Sequence, residues 1–497
     1  MTLIGPLTNE SVNYWRAATR SCRRCLCACL FFLLLLPIAL LASSGESDAA
    51  GATAESPASA APAGPIDESA ATEPQFSLAV NPRALSGAYY SGLLQKSLGL
   101  SPESPIKFGG VVTIGGNWLA SGGLRPYSTT GDFVLGLGTD IDAQRLLNIP
   151  GGEFYASAIV YQGENSNGRA GSVQVYDNLC PPNDFSRIEL YELWWRQRLF
   201  QDKLIVKIGK INAGGEFGQV LTPAPVPEAN MRDWTISDLL YTPSGLIPTN
   251  FFLPIYPNTA WGMAVSFLPT KNFYVSYGVF DGNGARGVQT GEEVGPEFNS
   301  YLFHIGEVGY AWRLGDQGKP GRFGAGIWGQ TGALATGNST ANKTAAITTN
   351  GAMGYYAFAN QRLWYRHPGI DPSGLIGFVQ FGYSPSPSNI VSCYAGGGLT
   401  ALGLVPRRPY DTTGVGIAWS KLNSGADAGL IFFPYVPPSY TSTSLRSSEL
   451  MFQTFYQLNL IPPYMGLQAA YTAIPTPGYR PGIPWANVFT LRMFIVL

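Results

Sequence analysis

Residues Ser186–Ile211 read SRIELYELWWRQRLFQDKLIVKIGKI. Taken at period two, Tyr191, Leu193, Trp195 and Leu199 fall on one side, and Glu192, Arg196 and Arg198 on the other. After a brief turn at Gln201–Asp202, Leu204, Val206 and Ile208 oppose Lys207. Apolar and polar residues swap at most steps, which is the period of a strand and not of a helix. The apolar side is rich in aromatics, and the polar side carries charges of both signs. Repeated down most of a chain, such hairpins are expected to have lipid on one face and water on the other, as in an outer-membrane β-barrel.

The composition agrees. The chain has 497 residues, more than one soluble sandwich needs, and a large barrel absorbs most of them as a single domain. Only 13% of residues are charged, against roughly 25% in ordinary soluble domains. With 45% hydrophobic residues the chain is not disordered as a whole. Its 60 Gly, 26 Tyr, 26 Phe and 11 Trp suit tight turns and aromatic girdles. A formal net charge of -1 offers no basic face to nucleic acid.

The N-terminus reads as a targeting segment. Arg16, Arg20, Arg23 and Arg24 precede the apolar run Cys25–Leu41, and small residues follow, the order of a secretory signal. Residues 1–44 are expected to be the signal peptide, with cleavage between 42 and 50. An uncleaved anchor is the other reading. Cys22, Cys25, Cys27 and Cys29 lie in or beside this leader, so they are not read as a metal cluster. Cys180 and Cys393 remain, and they are read equally as a pair or as two thiols. Residues 45–100 are expected to be a linker: 45–80 are rich in Ala, Ser, Pro and Glu without periodicity, and a short helix fits around Leu93–Leu98. The linker is read as a tether, a periplasmic plug being the alternative. Residues 101–497 are expected to form the barrel.

From Ile106 onward alternating runs recur, and about sixteen strands are expected, the first near 106–119 and the last near 485–497. Short and long connections alternate, as they do when one rim faces the periplasm and the other the outside. The connection Pro385–Ser388 is short where a long one is due. The chain closes on an amphipathic run, with Phe489, Leu491, Met493, Ile495 and Leu497 on one face and Thr490 and Arg492 on the other. An open sheet edge cannot persist in lipid, so the pattern demands closure. A barrel of about sixteen strands is wide enough to hold water.

Several stretches resemble the OprB-type carbohydrate-selective porins. They include NIPGGEF (148–154), LWWRQRLFQDKLIVKIGKINAGGEF (193–217), LPIYPNTAWGMAVSF (253–267), YVSYGVFDGNG (274–284), HIGEVGYAW (304–312), GLVPRRPYDTTGVGIAWS (403–420) and SSELMFQTFYQLNLIPPYMGLQAAYTAIPTPG (447–478). Their order carries the resemblance from roughly Phe108 to the C-terminus. It implies a sixteen-stranded outer-membrane barrel that admits glucose and other sugars by diffusion. Two departures stand out. The chain ends in Leu497 where such barrels usually end in Phe, and Gln453 and Gln468 are amides where the family often has acids.

A sugar presents C–H faces and hydroxyl edges, so its site needs aromatic faces and a few paired polar groups. Glu192, Arg196, Lys207, Glu307 and Arg492 are expected to line the lumen from the wall, as are Gln453 and Gln468. Trp118, Trp194, Trp234 and Tyr241 are candidates for stacking, a lipid-interface girdle being the other role for each Trp. The segment Asn212–Asn258 is the longest external connection, and its aromatics and prolines suit a stiff loop turned into the channel. It is expected to bring Arg232, Asp233 and Trp234 towards Glu192 and Arg196.

The partners expected are mono- or small oligosaccharides and outer-membrane lipid. A homotrimer and a monomer both fit, and no cofactor or metal is implied. The alternatives are a non-selective general porin and a structural or adhesion barrel. An enzyme would need a nucleophile beside a base. Only His304 and His367 could be that base, and no G-x-S-x-G motif accompanies either, so no catalytic residue is assigned.

Overall fold

In the computed structural model, the described residues are 92–179, 185–218, 234–241, 244–250, 253–256, 258–286, 295–335, 348–423, 445–462 and 464–497. The leader, most of the linker, Cys180, Arg232 and Asp233 lie outside them. Sixteen strands run in chain order: β1 (Ile106–Ser121), β2 (Ser128–Asp142), β3 (Gly152–Gly163), β4 (Phe185–Leu199), β5 (Leu204–Ile211), β6 (Ala260–Phe267), β7 (Phe273–Asp281), β8 (Leu302–Leu314), β9 (Lys319–Ala335), β10 (Thr348–Tyr365), β11 (Gly374–Tyr383), β12 (Val391–Leu402), β13 (Thr412–Leu422), β14 (Ser448–Ile461), β15 (Met465–Ile474) and β16 (Ala486–Val496).

Each strand pairs antiparallel with its chain neighbours, and β16 returns to β1 to close the barrel. Every strand backbone thereby has a partner on both sides, which the hydrocarbon core demands. In the closing pair Thr113 faces Phe494 and Asn117 faces Thr490 across the seam. The amide of Leu497 donates to the Gly110 carbonyl at 2.8 Å, so the last residue is tied to the first strand.

Alternation sets the two faces. On β16, Leu491 is 55% exposed towards lipid while Arg492, one step on, is 1% exposed and points inward. On β5, Ile208 is exposed and Lys207 is buried in the lumen. Trp118 on β1 points outward and stacks on Phe489, ring centroids 5.7 Å apart, so it belongs to the lipid-facing surface.

One expected parity is corrected. Tyr191 reads as lipid-facing from the sequence, yet it is buried together with Glu192. The β3–β4 register shifts between Ser157 and Ala158: Ser157 pairs with Glu192 and Ala158 with Leu190, leaving Tyr191 as an extra residue. This β-bulge turns two successive side chains inward. Carbonyls near the bulge find side-chain donors: the Lys210 amine reaches the Leu190 carbonyl at 2.5 Å, and the Thr259 hydroxyl donates to the Tyr191 carbonyl.

The short helix Leu93–Ser97 lies at the start of β1. Gln95 ties it there: its amide donates to the carbonyls of Ser101 and Ile106 and accepts from the Phe108 amide.

Candidate functional site

Two external connections fold into the barrel. The first follows β3 and includes residues 164–179. Its anchor is Glu449 on β14, a buried inward carboxylate. Glu449 accepts hydrogen bonds from the Ser172 hydroxyl (2.6 Å) and from the amides of Val173 (2.7 Å), Gln174 (3.2 Å) and Gly478 (2.7 Å). A second anchor is the ion pair between Arg492 Nη2 and Asp177 Oδ1 at 2.6 Å, with both side chains almost wholly buried. Asn117 donates to Asp177 and Asp132, and its carbonyl accepts from Thr490.

The second connection follows β5. The amide of Gly218 donates to Glu307 Oε2 on β8 at 2.6 Å, and the hydroxyls of Tyr274 and Tyr356 donate to the same carboxylate. The segment then appears on the far wall: Thr235 bonds Thr400 on β12, and Asp238 accepts from Thr412 on β13 at 2.5 Å. Next, Gly245 packs against β11 so closely that a Cβ on Gly382 would stand 1.9 Å from the Gly245 carbonyl oxygen. Only glycine permits two backbones to approach this way.

The amides Gln453 and Gln468 join both loops to the wall. Gln453 accepts from the Leu240 amide at 2.6 Å and donates to the Tyr176 carbonyl at 3.1 Å. Gln468 donates to the Asp238 carbonyl at 2.7 Å. An ionised acid at either position could accept but not donate, so the two departures from the acidic pattern have a structural reason here.

With β8, β11–β16 and β1 covered in this way, inward charges with exposed side-chain surface remain on β3–β5 and on the short helix Ala213–Glu216 that follows β5. Three pairs of opposite sign are among them. Arg187 meets Glu189 at 2.5 Å, Lys207 meets Glu216 at 2.5 Å, and Arg196 meets Glu153. Arg196, Glu153 and Glu216 keep 28%, 21% and 28% of their side-chain surface exposed. Trp194 sits within this row. The Lys207 amine lies 3.9 Å from its ring centroid, and Tyr155 stacks on it at 5.0 Å. Trp194 is therefore inward but buried, with neighbours on its ring.

The sequence-predicted residues thus divide. Arg196 and Lys207 lie in the charge-paired row, and Glu192 is buried beside it, accepting from the Asn212 amide at 3.1 Å. Glu307 and Arg492 point inward but serve as loop anchors. Tyr241 is buried in the second loop. The expected approach of Trp234 to Glu192 and Arg196 rests on a side chain outside the described ones. The short helix Trp234–Ser237 contacts β12 and β13, and β12 stands eight places from β4 in a ring of sixteen. The physical reason is the pair of buried hydrogen bonds to Thr400 and Thr412, which hold the helix on the opposite wall.

Arg187, Glu189, Glu153, Glu216, Asp177 and Glu449 are functional candidates that period-two reading missed. Glu189 had a signal: it stands three residues from Glu192, so a regular strand would put one of the two carboxylates into lipid.

Neither histidine forms a catalytic group. His304 is on the outer face, with Tyr277 Oη 2.8 Å from its Nδ1. In the turn after β10, Asp371 (2.9 Å) and Ser373 (3.3 Å) both meet the same Nδ1 of His367. A Ser–His–Asp relay needs the two partners on different ring nitrogens.

No curated protein matches the chain. Among solved structures it is similar to the high-pH structure of Pseudomonas putida OprB, with TM-score 0.66 and 19% identity over 82% of this chain and 97% of that one. The low-pH structure of the same protein gives TM-score 0.50 and 16% identity at the same coverage. A loop-deletion mutant of OmpT from Vibrio cholerae gives TM-score 0.46 and 9% identity, over 79% of this chain and 99% of that one. The family model described as "Carbohydrate-selective porin, OprB family" matches residues 129–496. That span takes in the strands from β2 onward and both infolded loops, and the chain belongs to the OprB family of carbohydrate-selective porins.

Proposed function

We propose that small neutral sugars, glucose among them, cross the outer membrane passively along the inward face of β2–β5. The observation that carries this is the row of opposite-charge pairs Arg187–Glu189, Lys207–Glu216 and Arg196–Glu153. Opposite charges held close present donors and acceptors together, so hydroxyls are oriented without trapping an ion of one sign. Glu192, buried on the inward face of β4 next after Trp194, is proposed to fix the row's shape. Glu307 and Arg492 contribute by holding the loops that narrow the lumen. Arg232, Asp233 and Trp234 keep the role the sequence suggests, contact with the solute from the constricting loop.

The test is reconstitution of the purified protein in planar bilayers, with sugars titrated as blockers of the ion current. Glucose block that weakens in Arg196→Gln and Glu153→Gln supports the reading. Conductance without block by any sugar would instead favour a general porin, and no conductance at all a structural barrel. Deleting residues 226–240 should raise conductance and weaken block. Unchanged conductance with loss of subunit association would make that loop an interface latch.

A further inference from the structure

Several buried polar atoms of the lumen lack a hydrogen-bond partner, and one group of them lies on residues around Asp238. Thr412, Gln457 and Gln468 are register partners in a row across β13, β14 and β15, all facing inward. Asp238 of the constricting loop spans the row. Its carboxylate takes the Thr412 hydroxyl at one end, and its carbonyl takes the Gln468 amide at the other. Gln457 therefore lies beneath Asp238. Its side chain is fully buried, and both its amide oxygen and its amide nitrogen lack a hydrogen-bond partner. Asp238 Oδ1 and Gln468 Oε1 are buried and unpartnered as well. Among the described residues no cationic side chain forms an ion pair with Asp238; the nearest charge in the row, the Arg492 guanidinium on β16 beside Gln468, is paired with Asp177.

Three unsatisfied oxygens, one from a carboxylate, and one unsatisfied amide nitrogen thus belong to residues joined by strand register and by the bonds to Asp238. Buried polar atoms are almost always partnered, so four orphans on residues joined in this way point to a missing partner. A carboxylate and amide oxygens are hard ligands of the kind that bind alkali and alkaline-earth cations.

We propose that Asp238 Oδ1, Gln457 Oε1 and Gln468 Oε1 form a cation site, for Na⁺ or Ca²⁺, that clamps the constricting loop to the β13–β15 wall. The bound cation supplies the charge partner that Asp238 lacks. Rotation of the Gln457 amide directs its oxygen to the cation and its nitrogen towards remaining acceptors. Burial holds the Asp238 carboxyl well above the usual carboxylate range, with the Thr412 hydrogen bond opposing that rise. A proton therefore competes with the cation, and cation binding strengthens as pH rises.

The test uses the purified full-length protein, stripped with a chelator and held in choline chloride at constant ionic strength. Ca²⁺ or Na⁺ is titrated separately, with bound Ca²⁺ counted by elemental analysis, bound Na⁺ followed by ²³Na relaxation, and thermal unfolding followed in parallel. The expected result is saturable binding of one cation per chain and a rise in unfolding temperature, larger at mildly alkaline than at mildly acidic pH. Asp238→Asn should abolish the response. Gln457→Met, which keeps the length and removes the amide, should weaken binding by about tenfold or more while leaving Asp238 in place. Whichever cation gives the response identifies the occupant. Indifference of the wild type to both cations, or an undiminished response in both variants, overturns the proposal and leaves water or a proton in the site.

Discussion

Glu449→Gln should release the first infolded loop while leaving the barrel intact. In the wild type, Glu449 Oε1 accepts from the Ser172 hydroxyl and the Gln174 amide, and Oε2 accepts from the amides of Val173 and Gly478. An amide keeps only one oxygen. If its nitrogen takes the Oε2 position, it meets two backbone N–H groups that cannot accept. If it takes the Oε1 position, Ser172 can turn its hydroxyl to accept, but the Gln174 N–H still loses its acceptor. The second orientation costs least. It leaves one buried donor unmet, at ~1–3 kcal/mol, and turns two charge-assisted bonds into neutral ones, at ~1 kcal/mol each. The sum is about 3–5 kcal/mol, or a roughly 100- to 4,000-fold shift of the loop towards release. Strand pairing is untouched, so the variant should stay heat-modifiable on gels like the wild type. A cysteine placed at Val173, whose side chain is buried and which meets Glu449 only through its backbone amide, reports the change through its labelling rate in a Cys393→Ser background. Labelling should accelerate in the Glu449→Gln background, and single-channel conductance should rise. Equal labelling rates and equal conductance would refute the anchoring role assigned to Glu449.

Four other outcomes follow from the same geometry. Ile208→Arg puts a charge against lipid and should cost roughly 2–4 kcal/mol if it lies near the midplane, read as a lowered denaturation midpoint; Lys207→Gln, one step away, should fold normally and alter only conduction. Asp177→Leu removes a buried carboxylate partner of Arg492 and should destabilise the folded protein, by up to roughly 3–5 kcal/mol, measured by urea unfolding in detergent. Gly382→Val should push Gly245 off β11 and raise conductance, with near-wild-type strand content by circular dichroism. Gln453→Glu loses the donor to the Tyr176 carbonyl and should loosen both loops at once, read as larger current noise.

The strands were legible because the barrel wall imposes one rule at every step, lipid outside and water inside. From β1 to β16 a residue's parity decides its environment, so Thr490 and Arg492 sorted correctly from Phe489 and Leu491. The bulge at Tyr191 escaped because one inserted residue resets parity without changing composition. Its trace was the spacing of Glu189 and Glu192, which no regular strand can satisfy in lipid. The inward direction of Glu307 and Arg492 was also legible. Their burial beneath loops was not, since it depends on which distant segment reaches them: Gly218 for one, Asp177 for the other.

The same limit explains the site. Length and aromatic content marked Asn212–Asn258 as the segment that turns inward, but not the wall it would meet. That choice rests on matching individual donors to acceptors: Thr235 with Thr400, Asp238 with Thr412, the Leu240 amide with Gln453. All these partners lie on β12–β14, and the first loop is pinned to the adjoining wall by Glu449 and Arg492. Among the described residues, the second loop contributes only its two ends against β3–β5, where Glu216 pairs with Lys207, Asn258 accepts from Arg187, and Tyr256 packs on Tyr161 and Tyr191. Arg196, Glu153 and Glu216 there keep part of their side-chain surface exposed. On this argument the path is set as much by the buried carboxylates and amides that hold the loops in place as by the residues that line it. Substitutions at Glu449 and Gln453 should therefore change sugar block as much as substitutions at Arg196, although neither touches the solute.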